Sequence, residues 1–107
     1  MTPEQYFARK RKVHLDMHLP EDAPGMFENF DAEAYVDTLV RAHVNSVTIF
    51  AHGHHGNCYY DTNIGHKHSR LDFDYVREVA SECRRRDVAV MAYFSCAWNH
   101  RDGVQHP

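Results

Sequence analysis

The chain has 107 residues, 43% of them hydrophobic, a net charge of -3 with histidine neutral, and a pI near 6.3. That length allows one domain with a modest core, and the mild acidity excludes an electrostatic footprint for nucleic acid or an anionic membrane surface. The three cysteines, Cys58, Cys83 and Cys96, are odd in number and form no CxxC pair, so they read as free thiols of a reducing compartment. No apolar stretch long enough for a secretory signal or a membrane span is present, which makes the cytoplasm the expected location.

The chain opens on Thr2-Pro3-Glu4-Gln5. A hydroxyl N-cap, a proline in the first turn and glutamine at N3 predict a short helix over 2–10. Lys12 to Leu19 then alternates strictly, with Val13, Leu15, Met17 and Leu19 on one side and His14, Asp16 and His18 on the other. This is the period of a strand. Pro20 ends it, and Pro24-Gly25 marks a turn in the loop that follows.

Asp31 is a candidate N-cap, and Val36, Leu39, Val40 and His43 fall at helical spacing. They predict an amphipathic helix over 32–43, with Asn45 as a left-handed stop. Ser46 to Ala51 is a β-branched second strand. After it comes a long loop that holds five of the ten histidines: His52, His54, His55, His66 and His68. Strand-to-helix connections usually take roughly 2–6 residues, so a longer, histidine-rich one is where function is expected. Asp72 is read as the cap of a second amphipathic helix carrying Val76, Val79, Ala80 and Cys83. Arg84, Arg85 and Arg86 end it, where cations complement the dipole. Val88 to Ser95 reads as a third strand buried on both faces, and Cys96 to Pro107 as a polar loop with the sole tryptophan, Trp98.

The predicted fold class is therefore α/β: β-α-β-α-β with parallel strands and right-handed crossovers. Three parallel strands leave open edges. The chain is either a small complete layer or the first part of an incomplete (β/α)8 TIM barrel. The second reading is preferred because the polar groups gather at the carboxyl ends of strands, which form the active-site face of such barrels.

His14, Asp16 and His18 share one strand face at about 6.6–7 Å spacing. They can form a hydrogen-bonded polar plug, contact substrate hydroxyls, with Asp16 orienting a histidine through its N–H, or ligate a metal. For zinc the supply of imidazoles is adequate, but no His-Glu-x-x-His or paired-cysteine spacing occurs. For a sugar, neutral imidazole both donates and accepts, and Tyr59, Tyr60, Tyr93 and Trp98 offer rings for the apolar sugar face.

Lys12-Val-His-Leu-Asp-Met-His18, Phe30-Asp31, Ala42 to Ala51, His54-His55-Gly56 with Tyr59-Tyr60-Asp61-Thr62 and Gly65, and Tyr93 to Asn99 together resemble the opening of a family of glycoside hydrolases related to the alpha-L-fucosidases. The resemblance covers residues 11–100. It implies a TIM-barrel catalytic domain, often followed by a beta-galactosidase-like trimerisation domain, and hence a homo-oligomeric parent. It implies a carbohydrate substrate and sugar contacts at His18, His54, His55 and Trp98; the reading of the residues themselves adds Tyr59 and Asp16 as substrate-binding residues. The fucosidase pattern places its catalytic carboxylates beyond the third strand. Residues 1–107 are thus expected to be the N-terminal portion of a catalytic domain, inactive alone, with no catalytic residue, metal or cofactor of its own. The alternatives are a metal-dependent barrel hydrolase using the His/Asp cluster and a stand-alone sugar-binding module.

Overall fold

The computed structural model describes residues 1–107. Helix α1 spans Pro3–Ala8, β1 Lys12–His14, α2 Ala32–Arg41, β2 Ser46–His52, α3 Tyr75–Arg85, β3 Ala89–Phe94 and α4 His100–Gln105. The strands form one parallel sheet in the order β1-β2-β3. Val13 pairs with Val47, and Val47 with Val90. The predicted β-α-β-α-β order and its parallel pairing are therefore present.

The core lies between the sheet and the two long helices. Val47 and Ile49 of β2 meet Val36 and Leu39 of α2 and Val79 and Cys83 of α3, all buried. Full burial of each aliphatic side chain stabilises the fold by about 1.5–3 kcal/mol. An aromatic cluster extends this layer upward: Phe30 stacks on Phe73 at 5.5 Å, and Tyr75 meets both Phe27 and Phe30 edge-on or tilted. The opposite sheet face carries His14, Phe50 and Tyr93, whose rings lie within 5.9 Å of one another.

Capping follows the sequence at two helices. Thr2 and Gln5 form the predicted capping box of α1, and Asp31 caps α2 by accepting from the Ala34 amide. The cap of α3 is Asp74 rather than Asp72; its carboxylate accepts from the Arg77 amide and from the Asp61 amide. The second bond ties the cap to the long loop, which no local pattern signals.

Other expectations are corrected. The first strand ends at His14, not Leu19, because beyond it the backbone leaves the ladder for a side chain. The Tyr59 hydroxyl donates to the Met17 carbonyl at 2.7 Å and accepts from the Leu19 amide at 3.1 Å. The left-handed residue after α2 is His43 (φ 60°), not Asn45. Asn45 instead bridges strand starts, its carbonyl accepting from the Ala89 amide and its side chain from the Arg11 amide. β3 is not buried on both faces: it is an edge strand, and Met91 and Phe94 are 44% and 49% exposed. Residues after Ser95 are not all loop, since Asn99 caps α4 through the Asp102 amide.

Candidate functional site

The candidate site sits at the carboxyl end of the sheet, where the segment after β1, the loop after β2 and the turn after β3 converge. His18 is held by both ring nitrogens. Its Nδ1 accepts the His54 backbone N–H at 3.0 Å, and its Nε2 lies 3.0 Å from Asp16 Oδ1. An accepting Nδ1 puts the ring proton on Nε2, which donates to Asp16, so the imidazole is neutral. Burial lowers its pKa; Asp16 opposes this, while His54, His55 and His14 add to it, and the net shift is downward.

The rings form a tier. His18 stacks on His54 with centroids 3.5 Å apart, and His54 stacks against Trp98 at 5.7 Å, both at 27°. Phe50 and Tyr93, themselves stacked at 4.3 Å, lie edge-on below His18. The Tyr93 hydroxyl comes to 3.4 Å from His54 Nε2. Trp98 is 70% exposed. The result is an open aromatic face edged by imidazole and phenol groups that both donate and accept hydrogen bonds.

Close backbone approach makes this tier possible. A Cβ at Gly53 would lie 3.1 Å from the Tyr59 hydroxyl oxygen and 3.4 Å from His18 Nδ1. Gly56 has φ 85°, and a Cβ there would collide with Asn99 Oδ1 and Arg101 Cβ. Only glycine meets both demands without strain.

Of the residues singled out in the sequence, His18, His54, Trp98 and Asp16 come together. His55 does not join the tier; it lines a separate cleft of about 240 Å³ with His100, Arg101, Val104 and Gln105. Tyr59 is 0% exposed and supports the 17–19 backbone from inside. His52 belongs to β2 rather than the loop; it is buried against Phe94 at 4.3 Å. His68 is buried too, with Nε2 facing the Pro20 carbonyl and Nδ1 accepting from Arg70. Burial lowers the pKa of both His52 and His68. His66 meets Glu21 at 2.5 Å. Nowhere do three His, Cys, Asp or Glu side chains converge as metal ligands would. Cys58, Cys83 and Cys96 are free thiols.

Sequence reasoning missed Phe50 as the floor of the tier and Glu21, Arg101 and Asn57 as its surroundings. Phe50 sits on the His14 face by strand register, so its place was recoverable from alternation. The polar three bond to partners at least 38 positions away and carry no local signal. An opening of about 860 Å³ lies at the other end of the sheet. Its Arg9 and Arg11 are already bonded to backbone carbonyls.

No helix is long and apolar enough to cross a membrane, and no curated protein sequence matches the chain. Among solved structures, alpha-L-fucosidase isoenzyme 2 from Paenibacillus thiaminolyticus superposes with a TM-score of 0.87 at 33% identity. The match covers 92% of this chain and 15% of the fucosidase, so the chain spans a small part of that protein's length. The α/β layer is thus the arrangement of part of an incomplete TIM barrel. The family model described as hypothetical glycosyl hydrolase 6 matches residues 31–107, which include β2, β3 and most of the ring tier. The chain belongs to the hypothetical glycosyl hydrolase 6 family.

Proposed function

We propose that residues 1–107 form the N-terminal wall of a carbohydrate pocket in a glycoside hydrolase of alpha-L-fucosidase type. The observation that carries this reading is the His18–His54–Trp98 tier, an open aromatic face edged by hydrogen-bonding groups. A sugar presents an apolar ring face and an equatorial belt of hydroxyls, and the tier offers a partner for each. Trp98 takes the apolar face. His54 Nε2 and the Tyr93 hydroxyl take hydroxyls. His18 contacts sugar through its ring edge, and Asp16, itself largely exposed, offers its second oxygen. His55 reaches the substrate from the neighbouring cleft, and Tyr59 contributes by fixing the backbone that carries His18.

Hydrolysis with a carboxylate pair belongs, in this reading, to the parent enzyme. No carboxylate here is assigned to it, and the isolated chain is inactive. A cytoplasmic, homo-oligomeric parent completes the proposal. The metal alternative is disfavoured by the engagement of both His18 nitrogens and by the lack of three converging ligands.

The test is titration of the chain with a panel of monosaccharides including L-fucose, followed through the Trp98 indole and His54 ring NMR signals. Saturable shifts are expected, weakened about tenfold or more by Trp98→Ala and by His54→Ala. Absence of saturable shifts across the panel, or an affinity in both variants equal to that of the unaltered chain, sinks the reading. Turnover of aryl glycosides by the 107-residue chain would remove the claim of inactivity.

A further inference from the structure

One carboxylate touches every segment that carries the ring tier. Glu21 lies three residues after His18 in the chain. Its Oε1 meets His66 Nε2 at 2.5 Å and accepts the Ser69 amide at 3.1 Å, both in the loop after β2. Its Oε2 meets Arg101 Nη2 at 3.1 Å, in α4, three residues after Trp98. The same Nη2 donates to Asn57 Oδ1 at 3.0 Å, next to the His54-His55-Gly56 turn, and Asn57 Nδ2 reaches back to the Leu19 carbonyl at 3.4 Å. The His100 amide donates to the His54 carbonyl. Charge-assisted contacts of this kind are the strong ones, and here they converge on a single partly buried side chain.

We infer that Glu21 is the positioning residue of the sugar wall: it fixes the separations of His18, His54 and Trp98 without touching the ligand. This rests on the sugar-pocket reading above for its purpose but not for its geometry. The tier draws one ring from each of three segments, and those segments share no strand or helix. Their relative placement depends on bridges between them, and Glu21 is the carboxylate on which the arm from the β2 loop and the arm from Arg101 of α4 both close. Ion pairs on exposed faces contribute little, but Glu21 differs in bridging segments rather than decorating one.

Two variants and two readouts test it, with a conservative replacement as control. The first readout needs no sugar: the nuclear Overhauser effect between the Trp98 and His54 rings, which lie 5.7 Å apart. Glu21→Ala should abolish this effect while the methyl signals of Val47, Ile49 and Val79 stay in place. Arg101→Gln cuts only the α4 arm, so it should loosen Trp98 yet leave the His18–His54 stack intact. Glu21→Gln, which keeps shape and one acceptor, should show a Trp98–His54 effect between those of the parent and Glu21→Ala. The second readout is sugar affinity, expected to fall about tenfold in Glu21→Ala and less in Glu21→Gln. An unchanged ring arrangement in Glu21→Ala would overturn the inference, as would core signals that shift together with the rings. If the rings respond as stated but no sugar binds even the unaltered chain, the positioning role stands and the sugar reading falls.

Discussion

At the lower end of the sheet, where strands begin, α2 and α3 turn into β2 and β3 through a few residues each and by the same backbone device. After α2 the His43 amide bonds the Val40 carbonyl and the Val44 amide the Leu39 carbonyl; after α3 the Asp87 and Val88 amides do the same to Arg84 and Cys83. Both are Schellman closures with a non-glycine residue in the left-handed region. Arg9, which caps the end of α1, then spans the two turns, donating to the carbonyls of Asn45 and Asp87. At the upper end, residues 53–74 run from β2 to α3 with little regular structure, and side chains hold them: Tyr59, Glu21, His68, Asn57 and Arg101. One end repeats a backbone turn; the other adds long-range side-chain bridges to its backbone bonds and is particular to the site. The same parallel sheet supports both, with the repeated turns at one strand end and the particular bridges at the other.

If that division is right, the largest single loss should come from the upper support. Tyr59→Ala removes a fully buried ring and should cost about 3–5 kcal/mol in urea unfolding. Tyr59→Phe keeps the ring but orphans the Met17 carbonyl and the Leu19 amide, and should cost about 1–3 kcal/mol. A phenylalanine variant as stable as the parent would break the claim that this hydroxyl replaces the missing ladder.

Acid sensitivity should also belong to the upper end. Burial depresses the pKa of His18, His52 and His68 below the ordinary histidine value. The unfolded chain therefore takes up protons first, near pH 6.5. The stability these groups confer is fully present above that pH and is lost as pH falls through their folded values. Glu21 adds a later loss. Burial pushes its carboxyl upward, but bonds from His66 and Ser69 and the charge of Arg101 outweigh this and leave it below the usual range. The urea midpoint should hold steady from pH 8 to 7 and decline from about 6.5 downward; a midpoint level to pH 5 would contradict the assignment.

Smaller effects are expected below. Arg9→Met leaves two carbonyls without that donor and should cost about 1 kcal/mol. His43→Gly should raise stability by about 0.5–1 kcal/mol, because relief of left-handed strain exceeds the glycine entropy cost. Asp87→Gly should gain less, since it also breaks the 2.8 Å pair with Arg9. Equal gains at the two turns would mean that the Arg9–Asp87 carboxylate pair contributes nothing.

The same contrast explains what the sequence reveals. Helices α2 and α3 were legible from their hydrophobic period, and strands β2 and β3 from runs of β-branched and apolar residues. The parallel fold and the family resemblance followed from their order and from the residues at strand ends. The gathering of His54 and Trp98 at the strand ends was legible for the same reason. What stayed hidden depends on distant partners. The alternation of residues 12–19 is real, but a strand also needs a ladder partner, and Tyr59, some forty positions on, takes that place. Tyr59 looked like a sugar-facing ring because burial cannot be read from a loop sequence. Separation of His54 from His55 depends on how α4 docks against Gly56. The helix itself had a cue, Asn99 three positions before Asp102, but its short span lacks an apolar stripe.

The central position of β2 sets a hierarchy of opening. β2 is hydrogen-bonded along both edges and covered by α2 and α3, whereas β1 is paired over three residues and β3 has one free edge. In deuterium exchange, the amides of Val47 to Phe50 should therefore open only with global unfolding, while outward amides of β3 exchange through local fluctuation. His52 lies on the slow strand and His54 only two residues beyond it. The ring tier thus hangs from the last part of the molecule to open, and a ligand that joins the tier would be anchored to its slowest-exchanging strand.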